Sequence, residues 1–386
     1  MQKILLTIFL LTFFNVVRTQ SNSINGFYVG HSLTDYIGEM VRGLASSDSE
    51  VDFNFSYQQI LGSPLRWQWQ AIHRQDYTNS PDGSIYSFYD PVNGLPSGNY
   101  SHLILTESVP RHNNEWGIEE TYNYLDSFYL YAIQYNTQIK PYLYEVWHCI
   151  NSGTPTGCSY DIDANPFRQR LTDDLSMWES AIDTFNLRNN PIHPIKLIPA
   201  GQAIGLFYDK IYNGEIQGIS SINEVFEDDI HGNDTIRYLV ACVHFATLFE
   251  KSPVGLTNEL NNWWGGAFGP FSPSLAEQLQ EIAWQTVCNY EPLGINCSES
   301  LSNKKNTKEV LSIFPNPTSD FLFVKFNKPQ TSSDLRLYDL TGKKIKSIMS
   351  QNNTMEKMDL RDLNNGVYFL EIITDDHVFL EQINVR

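Results

Sequence analysis

Short apolar runs alternate with longer amphipathic stretches between about residue 25 and residue 290. The short runs predict β-strands at residues 26–30, 51–57, 102–106, 142–147 and 195–200. Stretches whose apolar residues recur every three or four positions predict helices at 33–45, 119–134, 167–185, 235–250 and 275–290. This alternation predicts an α/β fold, a parallel sheet with helices on both faces. Catalytic groups of such folds collect at the carboxyl ends of the strands.

The last 77 residues follow a different pattern. Apolar positions alternate there with polar ones and are separated by the turn sequences PNP, TGK and NNG, which predicts a small antiparallel β-sandwich. Residues 298–309 (SESLSNKKNTKE) contain no aromatic residue and predict a linker. We therefore expect a large domain over residues 21–297 and a small domain over residues 310–386.

The chain begins with Lys3 followed by an almost uninterrupted apolar run over residues 4–17. A helix of this length falls short of the roughly 30 Å hydrocarbon core of a bilayer, so residues 1–20 predict a signal peptide rather than a permanent anchor. No other stretch approaches the length of a spanning helix. We expect a mature protein without an integral membrane segment.

Negative charge is concentrated in the large domain, where residues 21–297 contain 32 acidic and 12 basic residues. Such a domain repels polyanions, which excludes nucleic acid as a partner and disfavours highly charged acidic polymers. Neutral or partly esterified substrates are compatible with it. Solubility in a saline exterior explains the charge equally well.

Four of the five cysteines form two closely spaced pairs, Cys149 with Cys158 and Cys288 with Cys297. Each pair predicts a disulfide that closes a short loop, as expected of an exported protein. Cys242 lies in an apolar run and predicts a buried, inert thiol. No HxH, HExxH or CxxC motif occurs, so we expect neither a metal site nor a cofactor.

The first predicted strand ends in GHSLT, which places Ser32 where strand gives way to helix. A hydroxyl there is exposed at the sheet edge, close to backbone N–H groups that can stabilise an oxyanion. Serine is also an ordinary residue at the start of a helix, and by itself this position does not decide between the two roles.

The sequence EDDIHGNDT places Asp228 three residues before His231, just ahead of a predicted helix. A short turn can hold the carboxylate against one imidazole nitrogen, leaving the other nitrogen to take the Ser32 proton. The alternative is an acidic cluster that caps the helix beside an incidental surface histidine.

The GHSL and DDIH blocks resemble, in order and separation, the nucleophile and acid–base blocks of the SGNH (GDSL-like) hydrolases. The resemblance covers roughly residues 25–255. It implies a flavodoxin-like three-layer fold and ester hydrolysis through an acyl-enzyme, with Ser32, His231 and Asp228 as the catalytic triad. It also implies that Gly62, in YQQILGSPLRW, is an oxyanion glycine.

The third block departs from the family pattern, because LTESVP at residues 105–110 has no asparagine. Ionised Glu107 accepts hydrogen bonds and does not donate them, so it would oppose an oxyanion if it faced the site. We expect Glu107 to support a true donor, and Ser108 or Thr106 to supply the third donated hydrogen bond.

The small domain carries a second resemblance, in LSIFPNPTSDFLFV, LRLYDLTGKKI and MDLRDLNNGVYFLEI. These segments are similar to the type IX secretion C-terminal sorting domain. The resemblance implies the type IX secretion machinery as a partner and a secreted or cell-surface location. The residues alone also allow a carbohydrate-binding or adhesive module.

Three function classes follow for the large domain. The first is an esterase that removes acetyl groups from extracellular polysaccharide, the second a lipase or general carboxylesterase, and the third a non-catalytic surface binding protein with the same fold. Tryptophans can line a sugar cleft or pack in the core, and bear only weakly on the choice; the candidates are Trp67, Trp69, Trp116, Trp147, Trp263 and Trp264.

Overall fold

The chain divides into two units, Met1–Ile295 and Asn296–Arg386, which are described separately below. The computed structural model describes residues 22–71, 85–109, 117–269, 271–295, 297, 311–340, 342–374 and 378–386. The predicted signal peptide (1–20), the predicted linker (298–309) and Trp116 lie outside the described residues.

The first unit is built on a parallel sheet of five strands: β1 (Asn22–Gly30), β2 (Val51–Gln59), β3 (His102–Thr106), β4 (Lys140–Tyr144) and β5 (Lys196–Ile198). Their order across the sheet is β2-β1-β3-β4-β5, and every pairing is parallel. The side chains of β3 are all buried, as expected for a strand covered on both faces. This is the strand order of flavodoxin-like folds.

Eight described helices accompany the sheet: α1 (Ile37–Ser46), α2 (Leu65–Gln70), α3 (Ile118–Ala132), α4 (Phe167–Asp173), α5 (Leu175–Asn189), α6 (Ala200–Tyr212), α7 (Asp234–Phe249) and α8 (Pro273–Asn289). Helices α1, α6, α7 and α8 pack in one group and α2, α3 and α5 in another, and α4 contacts both α5 and α6. The predicted α/β class, a parallel sheet between helices, is confirmed.

The helix boundaries differ from the predicted ones by more than two residues in two of the predicted stretches. The stretch 33–45 begins with a 3₁₀ turn, Ser32–Thr34, and α1 starts only after Tyr36, whose φ of 64° interrupts the helix. The stretch 167–185 is divided at Asp174 into α4 and α5. Helices α2 and α6 were not predicted, since α2 is only six residues long and α6 follows β5 almost directly.

The second unit consists of antiparallel strands: β6 (Leu311–Phe314), β7 (Phe321–Tyr338), β8 (Lys344–Asp359), β9 (Gly366–Thr374) and β10 (Val378–Val385). The first part of the long strand β7 pairs with β6 and the last part with β9, while β8 follows both parts. The sheet curls around its own apolar core, which includes Leu322, Val324, Leu335, Leu337 and Ile372. The predicted antiparallel domain is confirmed.

The cysteines are distributed as predicted. Cys149 is bonded to Cys158, and Cys288 and Cys297 are also disulfide-bonded. Cys242 is free and buried in α7, and burial raises the pKa of its thiol. A neutral, enclosed thiol is a poor nucleophile, which agrees with the inert role expected for it.

Candidate active site

The predicted nucleophile and oxyanion residues meet at one edge of the sheet, because each follows a neighbouring parallel strand. Ser32 opens the 3₁₀ turn after β1, and Gly62 lies in the turn after β2. Glu107 and Ser108 follow β3 directly. The chain reverses its direction across the sheet at β1, and open α/β sheets bind ligands at such a reversal.

Gly30 and His31 give the Ser32 turn its shape. A Cβ atom at Gly30 would lie 2.6 Å from Cγ2 of Thr34 and 3.1 Å from Cβ of Thr106, so the close approach requires glycine. The buried His31 ring accepts a hydrogen bond at Nδ1 from the Leu33 N–H (3.4 Å), and its Nε2 donates to the Glu107 carbonyl (3.3 Å). His31 therefore caps the turn, a role that the sequence did not predict.

Residues 228–231 form a turn, called here the acid–base turn, between Phe226 and Gly232, which pair as an isolated antiparallel bridge. Oδ2 of Asp228 lies 2.7 Å from Nδ1 of His231, and Nε2 of His231 lies 2.9 Å from Oγ of Ser32. The three residues are thus within hydrogen-bond distance in series, although 199 positions separate Ser32 from His231. This is the geometry in which an imidazole can take a serine proton.

The Asp228 carboxylate is held by more than the imidazole. Its Oδ1 accepts hydrogen bonds from the backbone N–H groups of Ile230 (2.8 Å) and His231 (2.7 Å). Partial burial alone would raise the pKa of Asp228, but the bonds from the His231 backbone and ring and from Ile230 outweigh it and lower the pKa. Asp228 is therefore ionised at neutral pH and can fix the imidazole tautomer.

Ser32 and Gly62, which line the pocket around His231, each carry a backbone N–H group. Gly62 adopts a φ of 62°, which favours glycine. Among the described residues, no acceptor is hydrogen-bonded to either N–H group. These two groups can therefore donate to a developing oxyanion.

Glu107 is fully buried, and its carboxylate binds protein groups instead of lining the pocket. Oε1 accepts from the backbone N–H of Leu65 (3.0 Å) and of Ser108 (2.8 Å), and Oε2 accepts from the hydroxyl of Thr121 (2.9 Å). It connects the starts of α2 and α3 to the end of β3. Ser108 itself lines the pocket.

The Gly62 turn is held by buried amides that sequence reasoning missed. The Gln68 side chain donates to the hydroxyl of Ser63 (2.6 Å) and to the Gly30 carbonyl, and it accepts from Gln58 (2.8 Å). All three polar side chains, those of Gln58, Ser63 and Gln68, are fully buried. The only signal was a pair of glutamines closing β2, where an apolar residue would be expected.

An open pocket of about 640 Å³ surrounds Ser32 and His231. Apart from these two, its lining is mostly apolar and aromatic; it consists of His31, Leu33, Leu61, Gly62, Trp67, Ser108, Val109, Tyr160 and Ile230. Leu61, Trp67 and Tyr160 are 63%, 37% and 57% exposed, so they form an accessible apolar rim. The pocket is open enough to accept an ester of substantial size.

Of the tryptophans considered for a sugar cleft, Trp67 lines the pocket. Trp147 is buried and donates from Nε1 to the Ile230 carbonyl (2.7 Å), and Trp69 stacks on Phe88 in the core. Trp263 and Trp264 contact each other on a hairpin and do not line the pocket.

In the part of the chain that the structure describes, no group of three or more His, Cys, Asp or Glu side chains is placed to hold a metal ion. No described helix has the length and apolarity needed to cross a membrane.

Residues 312–386 match the family of the secretion system C-terminal sorting domain. The predicted type IX sorting domain is thereby confirmed, as is the predicted secreted or cell-surface location. None of the curated proteins compared with this chain matches it.

Several solved structures are similar to the chain at low identity. A DUF4886 family protein from Bacteroides uniformis is 15% identical, with 72% of this chain and 99% of that one covered and a TM-score of 0.47. A protein from Parabacteroides merdae described as a GDSL-like lipase is 12% identical (58% and 94% covered, TM-score 0.37). An acetyl xylan esterase from Butyrivibrio proteoclasticus is 10% identical (46% and 55% covered, TM-score 0.27). At these TM-scores the matches carry no argument about function.

Proposed function

We propose that the chain is a secreted carboxylic ester hydrolase that uses Ser32, His231 and Asp228 as a catalytic triad. The observation that carries the proposal is the pair of short distances, 2.7 Å from Asp228 to His231 and 2.9 Å from His231 to Ser32. A helix-capping acidic cluster beside an incidental histidine would not require the imidazole to reach a serine on another strand.

In this mechanism His231 Nε2 removes the proton from Ser32 Oγ as the oxygen attacks the ester carbonyl. Asp228 accepts the Nδ1 hydrogen bond and stabilises the imidazolium that forms. The imidazolium then protonates the leaving alcohol, and an acyl-enzyme remains on Ser32. Water, activated by the same imidazole, attacks the acyl carbon, and the proton returns to Ser32 Oγ as the carboxylic acid departs.

The oxyanion of each tetrahedral intermediate is bound, on this proposal, by the N–H groups of Ser32 and Gly62. The third donor is the hydroxyl of Ser108, which lines the pocket. Glu107 acts as a support that fixes the backbone of Ser108 and the start of α2. The mechanism requires no metal or cofactor.

The substrate we propose is an acetyl ester on an extracellular polysaccharide. Export by the type IX system brings the protein to polymers outside the cell, and Trp67 and Tyr160 offer aromatic faces at the pocket rim on which a sugar ring can stack. In this proposal, residues 21–297 form the catalytic domain, 298–309 the linker and 310–386 the sorting domain, and residues 1–20 are a signal peptide.

One observation favours a second candidate, a general carboxylesterase or lipase. The side chains of Leu33, Leu61, Val109 and Ile230 line the pocket, and a volume of about 640 Å³ exceeds what an acetyl group needs. An apolar acyl chain would bury these surfaces, whereas an acetyl group would leave most of them in contact with water.

A panel of chromogenic esters with acyl chains from acetyl upward tests the proposal on the full-length secreted protein. Preference for acetate together with release of acetate from acetylated polysaccharide supports the first candidate, and preference for long chains supports the second. Cleavage of none of them would favour a non-catalytic binding protein.

A further inference from the structure

The loop closed by the Cys149–Cys158 disulfide (residues 149–158, called here the disulfide loop) contacts the acid–base turn together with the adjacent Trp147. The Ile150 N–H donates to the Asp229 carbonyl (2.7 Å), and the Asn151 side chain donates to the Asp229 carboxylate (2.9 Å). Trp147 Nε1 donates to the Ile230 carbonyl (2.7 Å). All three bonds reach the two residues that lie between Asp228 and His231.

The loop is itself fixed to the core. The Ser152 hydroxyl bonds to the Cys149 carbonyl (2.9 Å) and to the Asp161 carboxylate (2.8 Å). Asp161 is paired with Arg170 (2.8 Å), and both are 2% exposed. Beyond the loop, Tyr160 lines the pocket. A buried ion pair thus anchors one side of the loop and the disulfide closes it.

The acid–base turn needs such support, because it contains no helix or strand. The side chains of Asp228 and His231 are 57% and 34% exposed, so burial does little to hold them. Displacement of a catalytic group by about 1 Å can cost on the order of 100-fold in rate. The contacts from the disulfide loop are therefore well placed to keep His231 in reach of Ser32.

We infer that Trp147, Asn151 and the Cys149–Cys158 disulfide form a positioning element that holds the acid–base turn for catalysis. This rests on the proposed function. A disulfide suits the role in an exported protein, since the bond persists in an oxidising exterior and restricts the loop without occupying the pocket.

The second disulfide provides a matched control. Cys288 and Cys297 are each disulfide-bonded and, like Cys149 and Cys158, lie nine positions apart, so the predicted bond between them closes a loop of equal length. The loop-closure entropy that each removes from the unfolded chain is accordingly similar. None of the described residues between Cys288 and Cys297 makes a hydrogen bond to the acid–base turn.

The experiment compares C149S/C158S with C288S/C297S in the full-length protein on one chromogenic ester, with kcat normalised to folded protein. We expect C149S/C158S to lower kcat by about 100-fold with KM changed less than about threefold, and C288S/C297S to keep kcat near wild type. A merely structural role would affect both variants alike.

Two single substitutions keep the test decisive if a cysteine variant fails to fold. Trp147→Phe removes one donor to the acid–base turn and retains a buried ring. Trp178→Phe is its control, since Trp178 is also buried but, among the described residues, has no hydrogen bond to that turn. Asn151→Ala removes the bond to Asp229. We expect Trp147→Phe and Asn151→Ala each to lower kcat by about tenfold at unchanged KM, and Trp178→Phe to leave kcat unchanged.

Equal kcat in Trp147→Phe, Asn151→Ala and wild type, or an equal loss in the two cysteine variants, would overturn the positioning role. Wild type and Ser32→Ala are measured alongside. If wild type cleaves no ester, or Ser32→Ala is fully active, the proposed function itself is wrong. That result is distinguishable from a failure of the positioning role alone.

Discussion

The two sides of the candidate site are built in contrasting ways. The nucleophile side belongs to the sheet: Ser32 follows the inner strand β1, and buried Tyr144 donates from its hydroxyl to the Leu33 carbonyl (3.1 Å). The acid–base side is a partly exposed turn. It is tied by the Glu227 N–H to the His231 carbonyl (2.8 Å), by the Arg237–Glu227 ion pair and by the disulfide loop.

The contrast shows two ways in which the position of a catalytic side chain is determined. On the nucleophile side, the strand end and the absence of a Cβ at Gly30 determine where the hydroxyl lies. On the acid–base side, long-range hydrogen bonds between loops determine where the imidazole lies. A substitution of the nucleophile should therefore abolish ester cleavage. A substitution among the residues that support the acid–base turn should lower the rate only in part.

The largest effect is expected from Ser32→Ala, which removes the attacking atom and leaves the backbone of the turn in place. We expect ester cleavage to fall by about 10⁵-fold or more, with the thermal unfolding midpoint changed little. Steady-state kinetics on the preferred ester and a melting curve measure both. Retention of most of the activity would remove Ser32 from the mechanism.

Asp228→Asn tests the acid–base side with the turn conserved. The asparagine oxygen can still accept from the backbone N–H groups of Ile230 and His231, but its NH₂ group then faces Nδ1 and favours the wrong imidazole tautomer. We expect kcat to fall by about 10³ to 10⁴-fold, less than for Ser32→Ala. A loss below tenfold would show that the carboxylate is not part of a triad.

The same contrast explains what could be inferred from the sequence. The strands, the Ser32 position and the Asp228–His231 spacing are local patterns, and the α/β class followed from the alternation of strands and helices. The sorting domain followed from the family resemblance of segments in the last 77 residues. Trp147 and Asn151 carry no local signature, because their role comes from a contact with residues about 80 positions away. Buried Gln68 was likewise missed, since its partner Gly30 lies 38 positions away and approaches it only in the folded chain.

Ser108→Ala and Glu107→Gln separate a donor from its support on the nucleophile side. Loss of one oxyanion donor typically costs about 10² to 10³ in rate, which we expect for Ser108→Ala if its hydroxyl is the third donor. Glu107→Gln keeps the shape and one acceptor oxygen, so we expect a change below about tenfold.

Kinetics of both variants on one acetyl ester distinguish these roles. A collapse with Glu107→Gln beside an unchanged Ser108→Ala would mean that the carboxylate itself takes part in the chemistry and that the support role is wrong.

The smallest expected effect is one on stability alone, and it comes from Glu145, which follows β4 and precedes Trp147 by two positions. Burial raises the pKa of this carboxyl to about 7, although bonds from the Gln202 side chain (2.7 Å) and backbone (3.1 Å) oppose the shift. In the unfolded chain the group ionises near its ordinary value of about 4.3. Between these two values the folded protein therefore holds a proton that the unfolded chain has lost.

The free energy of unfolding should consequently decrease as pH rises from about 4.3 to about 7 and level off above that, with a total contribution on the order of 3 kcal/mol. Glu145→Gln removes this contribution, so its free energy of unfolding should decrease less between pH 5 and pH 8 than that of wild type. The altered bond to Gln202 would lower the free energy of unfolding equally at both pH values, so the difference between them still reports on the Glu145 proton.

All eight tryptophans precede residue 298, so tryptophan fluorescence follows the first unit within the full-length protein. Identical pH slopes in the two proteins would show that the pKa of Glu145 is not raised in the folded state.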